Sequence, residues 1–102
     1  MPNPTWNNLL LILLCRMYEA WGGDCSELPR SAHERIESLV WLYGADGAPE
    51  FADEGAKNAF LALLDETSVL LDSPENDLSP ADNTSIRELI TSLRNDLNPP
   101  IG

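Results

Sequence analysis

Residues 5–21, TWNNLLLILLCRMYEAW, decide the fold. The stretch contains an unbroken apolar run from Leu9 to Cys15. Pro2 and Pro4 oppose a regular helix start before Thr5, because proline lacks an N–H and restricts the residue before it. Thr5 is the expected N-cap, its hydroxyl accepting from an orphan N–H of the first turn. Gly22-Gly23 is the expected stop, since glycine tolerates the left-handed conformation that ends helices. Around a helical wheel, Trp6, Leu10, Leu13, Met17, Ala20 and Trp21 form one stripe. Leu11, Leu14, Cys15 and Tyr18 form a second beside it. The polar sector holds Asn8, Arg16 and Glu19, with Ile12 among them. A surface helix has a single apolar stripe of about 100°, whereas this one is apolar over roughly two-thirds of its circumference by the same wheel. It therefore predicts a central helix covered on two sides, by its own chain or by that chain and a partner.

The run is too short for other uses. A spanning helix needs about 20 apolar residues, and Asn8 and Arg16 bound this one. Residues 1–8 carry no Lys or Arg, and no small-residue cleavage site follows, so an export signal is not expected. Two cysteines fall short of the frameworks that staple small secreted domains. Cys15 and Cys25 are read as reduced thiols, and the chain as soluble and cytoplasmic.

Working outward, Ser31-Ala32-His33-Glu34 has the pattern of a capping box. Ile36, Leu39, Val40 and Tyr43 follow at helical spacing, with Trp41 and Leu42 widening the face, and Gly44 as the stop. This predicts a helix over 32–43. Pro49 suits the first position of a third helix, whose apolar period runs to 72, with Gly55 as the point where it can break. Ala52, Ala56 and Ala59 are read as close-packing positions. Ser79, Pro80 and Asp82 supply a cap, a first-turn proline and an acid for a fourth helix over 80–96, with Thr84 as a competing start. Residues 98–102 are expected to fray. No alternating strand pattern and no internal repeat occurs. The 102 residues predict one all-α domain, a compact four-helix bundle in which helix 1 packs against the other three.

Seventeen acidic residues face six basic ones, for a net charge of −11. So few Lys and Arg disfavour direct nucleic-acid binding and anionic membranes. The acids are unevenly placed: residues 44–82 hold ten of them against Lys57 alone. Acidic surfaces keep small proteins soluble. A dense acidic face also speeds encounter with a basic surface and rejects acidic ones.

Chemistry is harder to find. His33 is the single histidine. With Glu34 and Glu37 it makes H-E-x-x-E, which lacks the second histidine of a zincin, and one His and one carboxylate are too few for a structural zinc. No nucleophilic triad can be built on it. Asp24 beside Cys25 is a poor setting for a thiolate. The adjacent pairs Asp53-Glu54 and Asp65-Glu66 do not share a helix face, no E-x-x-H di-iron motif occurs, and the acidic loop 72–82 lacks the order of a calcium loop. No catalytic residue, metal site or cofactor is expected. Among the tryptophans, Trp41 is read as core, with Trp6 and Trp21 open between core and interface.

These features favour a non-enzymatic binding module, an inhibitor that docks an acidic face on a basic, nucleic-acid-gripping surface of a protein target. Small acidic nuclease inhibitors, immunity proteins and phage anti-defence (anti-CRISPR-like) proteins share this profile as a class; for a phage protein the location would be the host cytoplasm. The expected contacts are Glu50, Asp53, Glu54, Asp65, Glu66 and Asp72. Two other readings stay open: a homodimer or adaptor using Leu11, Leu14 and Tyr18, and a small-ligand binder with a pocket between helices.

Overall fold

The computed structural model describes residues 4–98. Four helices follow in order, α1 (Pro4–Glu19), α2 (Ala32–Asp46), α3 (Glu54–Leu71) and α4 (Pro80–Leu97), with a short 3-10 turn at Cys25–Glu27. The all-α bundle is as the hydrophobic periods predict. Helix α1 starts one residue early: Pro4 stands inside the helix, where its preset φ is tolerated, so Thr5 lies in the first turn and does not cap it. The helix ends at Glu19. Ala20, Trp21 and Gly22 then tighten into 3-10 hydrogen bonds on Met17, Tyr18 and Glu19, and Gly22 takes a positive φ of 85°.

Two predicted caps form. Ser31 Oγ accepts from Glu34 N at 3.1 Å, and Ser79 Oγ accepts from Asp82 N at 3.2 Å with Pro80 in the first turn. Two boundaries differ from expectation. Gly44 is absorbed into α2, and Gly47, at φ 74° with its N–H on Tyr43 O, ends it. Residues 49–53 are a loop and not a short helix, because Asp53 caps α3 by accepting from Ala56 N at 2.8 Å. Gly55 then falls in the first turn of α3 and breaks nothing. The tail expected to fray lies outside the described residues beyond Asn98.

The helices form a ring. Helix α1 packs on α2 and α3, α4 packs on the same two, and α1 and α4 lie on the diagonal. Helix 1 therefore has two neighbours where three were expected. Its core side is filled by Trp6, Leu10, Leu14 and Met17, all at 1% exposure or less. Ile36 and Leu39 meet them from α2, Phe60 and Leu64 from α3, and Ile86 and Leu93 from α4. The two indole N–H groups on the bundle's inner side are satisfied by backbone. Trp6 Nε1 donates to Leu70 O and Trp21 Nε1 to Gly47 O, each at 2.8 Å. Trp21 also meets Phe60 edge-on at 6.0 Å. No buried side-chain N or O among the described residues lacks a partner, as a native-like interior requires.

One covalent feature overturns an expectation. Cys15 and Cys25 form a disulfide, with Cα atoms 5.3 Å apart, a separation ordinary for such a bond. The reading of two reduced thiols fails, and the compartment argument that rested on it fails too. The bond ties the α1–α2 connection back onto α1. No helix among the described residues is long and apolar enough to cross a membrane.

Candidate functional site

The six expected acidic contacts do not share one surface. Asp65 and Asp72, seven residues apart on α3, face Arg94 and Arg87, seven apart on α4. Arg94 Nη2 lies 2.6 Å from Asp65 Oδ1, and Arg87 Nη2 lies 3.1 Å from Asp72 Oδ1. Each arginine also donates to a second acceptor, Ser68 Oγ and Leu71 O respectively. Arg87 thereby satisfies a carbonyl at the C-terminal end of α3, where a cation is favoured. These two acids belong to the α3–α4 seam.

Glu50, Asp53 and Glu54 gather at the other end of α3. They line one shallow depression together with Asp96 of α4, against the single cation Lys57. None of the four carboxylates forms an ion pair among the described residues. Tyr43 donates its hydroxyl to Asp96, and this bond raises the Tyr43 pKa above its ordinary value. Glu66 lies elsewhere, on the rim of a groove between α1 and α3 whose floor is apolar.

The expected self-association residues are also redistributed. Leu14 is fully buried in the core and can meet no partner. Leu11 and Tyr18 are partly buried and pack on that core. The exposed apolar side of α1 is instead Leu9 and Ile12, at 49% and 50% exposure, beside Val69 of α3 at 73%. The ring arrangement explains this, since no helix among the described residues covers that flank of α1. Ala52, Ala56 and Ala59, expected to pack closely on a neighbour, are exposed as well.

Trp41 is the largest departure. Expected in the core, it is 73% exposed. It lies over a groove of about 500 Å³ between the outer face of α2 and the α1–α2 connection. Glu37 stands one turn before Trp41 on the same face, and Glu27, Leu28 and Tyr18 line the opposite wall. That wall is fixed in four ways. The disulfide holds Cys25 to α1. Leu28 is buried at 8% exposure. Arg35 donates from Nε to Pro29 O at 2.6 Å and from Nη1 to Leu11 O at 2.8 Å, joining the connection to α1. Gly23 lets the Tyr18 ring lie against the chain, because a Cβ there would fall 2.3 Å from a ring carbon. Asp24 starts the 3-10 turn by accepting from Ser26 N at 2.9 Å, and this bond to the backbone lowers its pKa.

His33, in the first turn of α2, is exposed over 60% of its side chain and is held between two carboxylates. Its Nδ1 lies 2.6 Å from Asp82 Oδ1 across the α2–α4 interface, and its Nε2 contacts Glu37. The Asp82 hydrogen bond, then the charges of Asp82 and Glu37, raise its pKa above the ordinary 6.5. Both ring nitrogens are thus engaged by carboxylates, and neither is left to accept a proton from a nucleophile, which general-base work requires. No group of three or more His, Cys, Asp or Glu among the described residues is arranged to hold a metal ion.

Compared with known families, curated proteins and solved structures, the chain matches no family model, no curated relative and no solved structure.

Proposed function

We propose that this chain is a non-enzymatic protein-binding module, an inhibitor that meets a basic surface of a protein target with the acidic end formed by Glu50, Asp53 and Glu54. The observation that carries the reading is the division of the acids. Arg87 and Arg94 neutralise Asp72 and Asp65 within the bundle, whereas the carboxylates at the start of α3 gather around one depression without an ion pair. Unpaired like charges held together raise the local potential, which steers a basic partner and repels acidic ones. A target surface that normally grips nucleic acid fits this chemistry, with the acidic end competing for the phosphate sites. Inhibitors of host defence and immunity proteins are the functional types this describes.

The test is capture of basic proteins by the wild type and by a Glu50→Lys/Asp53→Asn/Glu54→Lys variant. Asparagine at 53 keeps the cap of α3, so the variant folds. Capture should weaken in the variant, weaken for the wild type as salt rises, and be reversed by added nucleic acid. Equal capture by both proteins at low salt removes the reading.

A second reading has its own observation. Leu9, Ile12 and Val69 form an exposed apolar flank, and Arg16 and Glu66, neither ion-paired within the described chain, line the same groove. Two copies related by a twofold axis could pair Arg16 of each with Glu66 of the other. Sedimentation of wild type against Ile12→Glu at equal concentration separates this homodimer from a monomeric binder.

A further inference from the structure

We infer that the groove beneath Trp41 is a receptor for a single arginine side chain of a protein partner, its guanidinium stacked on the indole and bonded to Glu27 and Glu37. This rests on the reading that the partner is basic, and it adds where and how the partner is held. Three observations converge on the guanidinium.

The first is chemical. The groove combines two aromatic rings, Trp41 and Tyr18, with two carboxylates, Glu27 and Glu37, and the apolar side chains Leu28, Pro29 and Leu42. A planar cation on an aliphatic stem matches all three parts. The stem lies along the apolar lining, the charge is drawn to the aromatic face, and the fork of N–H donors reaches carboxylate oxygens. An ammonium is a point charge, more strongly hydrated, and gives up more to enter. The second is exposure. Trp41 is 73% exposed and lies outside the core and the residues packed on it, and exposed tryptophan is a common anchor of protein interfaces. The third is rigidity. The wall opposite Trp41 is held by the disulfide, the two Arg35 hydrogen bonds and the Tyr18–Gly23 contact, so little order has to be created on binding. His33 meets Glu37 through Oε1, and a carboxylate has a second oxygen with which to accept from a ligand.

The probe is N-acetyl-L-arginine amide, titrated into the isotopically labelled protein at physiological salt and followed by NMR. Saturable shifts should concentrate on the Trp41 indole N–H and on the amides of Leu28, Glu37 and Ser38. N-acetyl-L-lysine amide should bind more weakly. Trp41→Ala should weaken arginine binding by about fivefold or more, and Glu27→Gln/Glu37→Gln by a similar factor, with spectra otherwise those of the folded protein. Trp41→Phe should keep part of the affinity. Shifts that spread evenly over the acidic surface, fail to saturate, or persist unchanged in Trp41→Ala overturn the inference. Its failure is distinguishable from that of the functional reading. Arginine binding in the groove without any salt-sensitive capture of a basic protein removes the function and keeps the pocket. Capture that depends on Glu50 and Glu54 and ignores Trp41 removes the pocket and keeps the function.

Discussion

Breaking the Cys15–Cys25 bond, by reduction or by Cys15→Ser/Cys25→Ser, isolates how much of the fold depends on the tie between α1 and the connection after it. The two residues are separated by 10 positions. Loop-closure entropy for a ring of that length gives about 2.7 kcal/mol of stability, taken from the unfolded state. For a domain of this size the same loss lowers the melting temperature by roughly 10–20 °C. The assay is urea unfolding followed by far-ultraviolet circular dichroism, with and without a reductant that does not absorb there. The midpoint should fall in proportion. The slope should rise slightly, because an uncrosslinked chain exposes more surface when it unfolds. Two other fastenings act on the same segment, the burial of Leu28 and the Arg35 hydrogen bonds to Pro29 and Leu11. They keep the connection near its place in the reduced protein, so the helices should remain and only stability should drop. An Arg35→Met variant made in both redox states measures their coupling by a double-mutant cycle. Unfolding free energies that agree within about 0.5 kcal/mol between oxidised and reduced protein would refute the reasoning, since no unfolded-state constraint would then exist.

Leu14→Ala should cost about 2–5 kcal/mol as a cavity in the core, and Leu11→Glu/Leu14→Glu should unfold the protein outright, while Ile12→Ala should stay within about 0.5 kcal/mol; thermal melts of the three variants check this. The exposed Asp65–Arg94 pair should contribute no more than about 0.2–1 kcal/mol in a double-mutant cycle, because solvent screens it, with side chains 73% and 41% exposed. His33 sets a pH dependence whose sign follows from its raised pKa. The stabilisation it gains from Asp82 on α4, and from Glu37 and Glu34 on α2, is fully present below about 6.5, its unfolded value. It is lost as pH rises through the higher folded value. The melting temperature of wild type relative to His33→Gln should therefore fall between pH 6 and pH 9, and a flat difference would show that the Asp82 contact carries no charge.

The fold was legible where a local signal had no rival. Ser31 and Ser79 stood before clean apolar periods, and both cap helices. Where two signals competed, sequence favoured the wrong one. Pro49 drew the start of α3 away from Asp53, although an aspartate cap satisfies an orphan donor and a proline only avoids adding one. Gly44 drew the end of α2 away from Gly47. Trp41 carries a usable sign: it lies about 140° around the helix from Ile36, off the stripe that Ile36 and Leu39 define. Ile12 carried another, since it fell in the polar sector of α1, and it is exposed. Cys15 and Cys25 gave no such sign. Their pairing depends on how the connection folds back over α1, which no spacing rule supplies. The count of helices was legible, but their ring order was not, and that order exposes Leu9 and Ile12 and buries Leu14.

The acidic segment shows how net charge can mislead about a site. Of the ten acids in residues 44–82, Asp65 and Asp72 are ion-paired, Asp53 caps α3, Asp82 binds His33, and Glu75 and Asp77 interact within the chain. Asp46, Glu50, Glu54 and Glu66 form no ion pair among the described residues. The groove beneath Trp41 draws its carboxylates, Glu27 and Glu37, from the segment before residue 44, where the charges nearly balance. The two surfaces should therefore separate kinetically. Charges outside the contact act mainly on encounter, so Glu50→Lys/Glu54→Lys should slow association and flatten its salt dependence with little effect on dissociation. A desolvated anchor acts on the lifetime of the complex, so Trp41→Ala should speed dissociation and leave association within about threefold. Surface plasmon resonance on the captured partner at two salt concentrations reads both. If Trp41→Ala changes association alone, the indole is part of the steering surface and holds nothing. If the acid variant changes dissociation alone, the carboxylates at the start of α3 lie inside the contact, and the anchor belongs there instead.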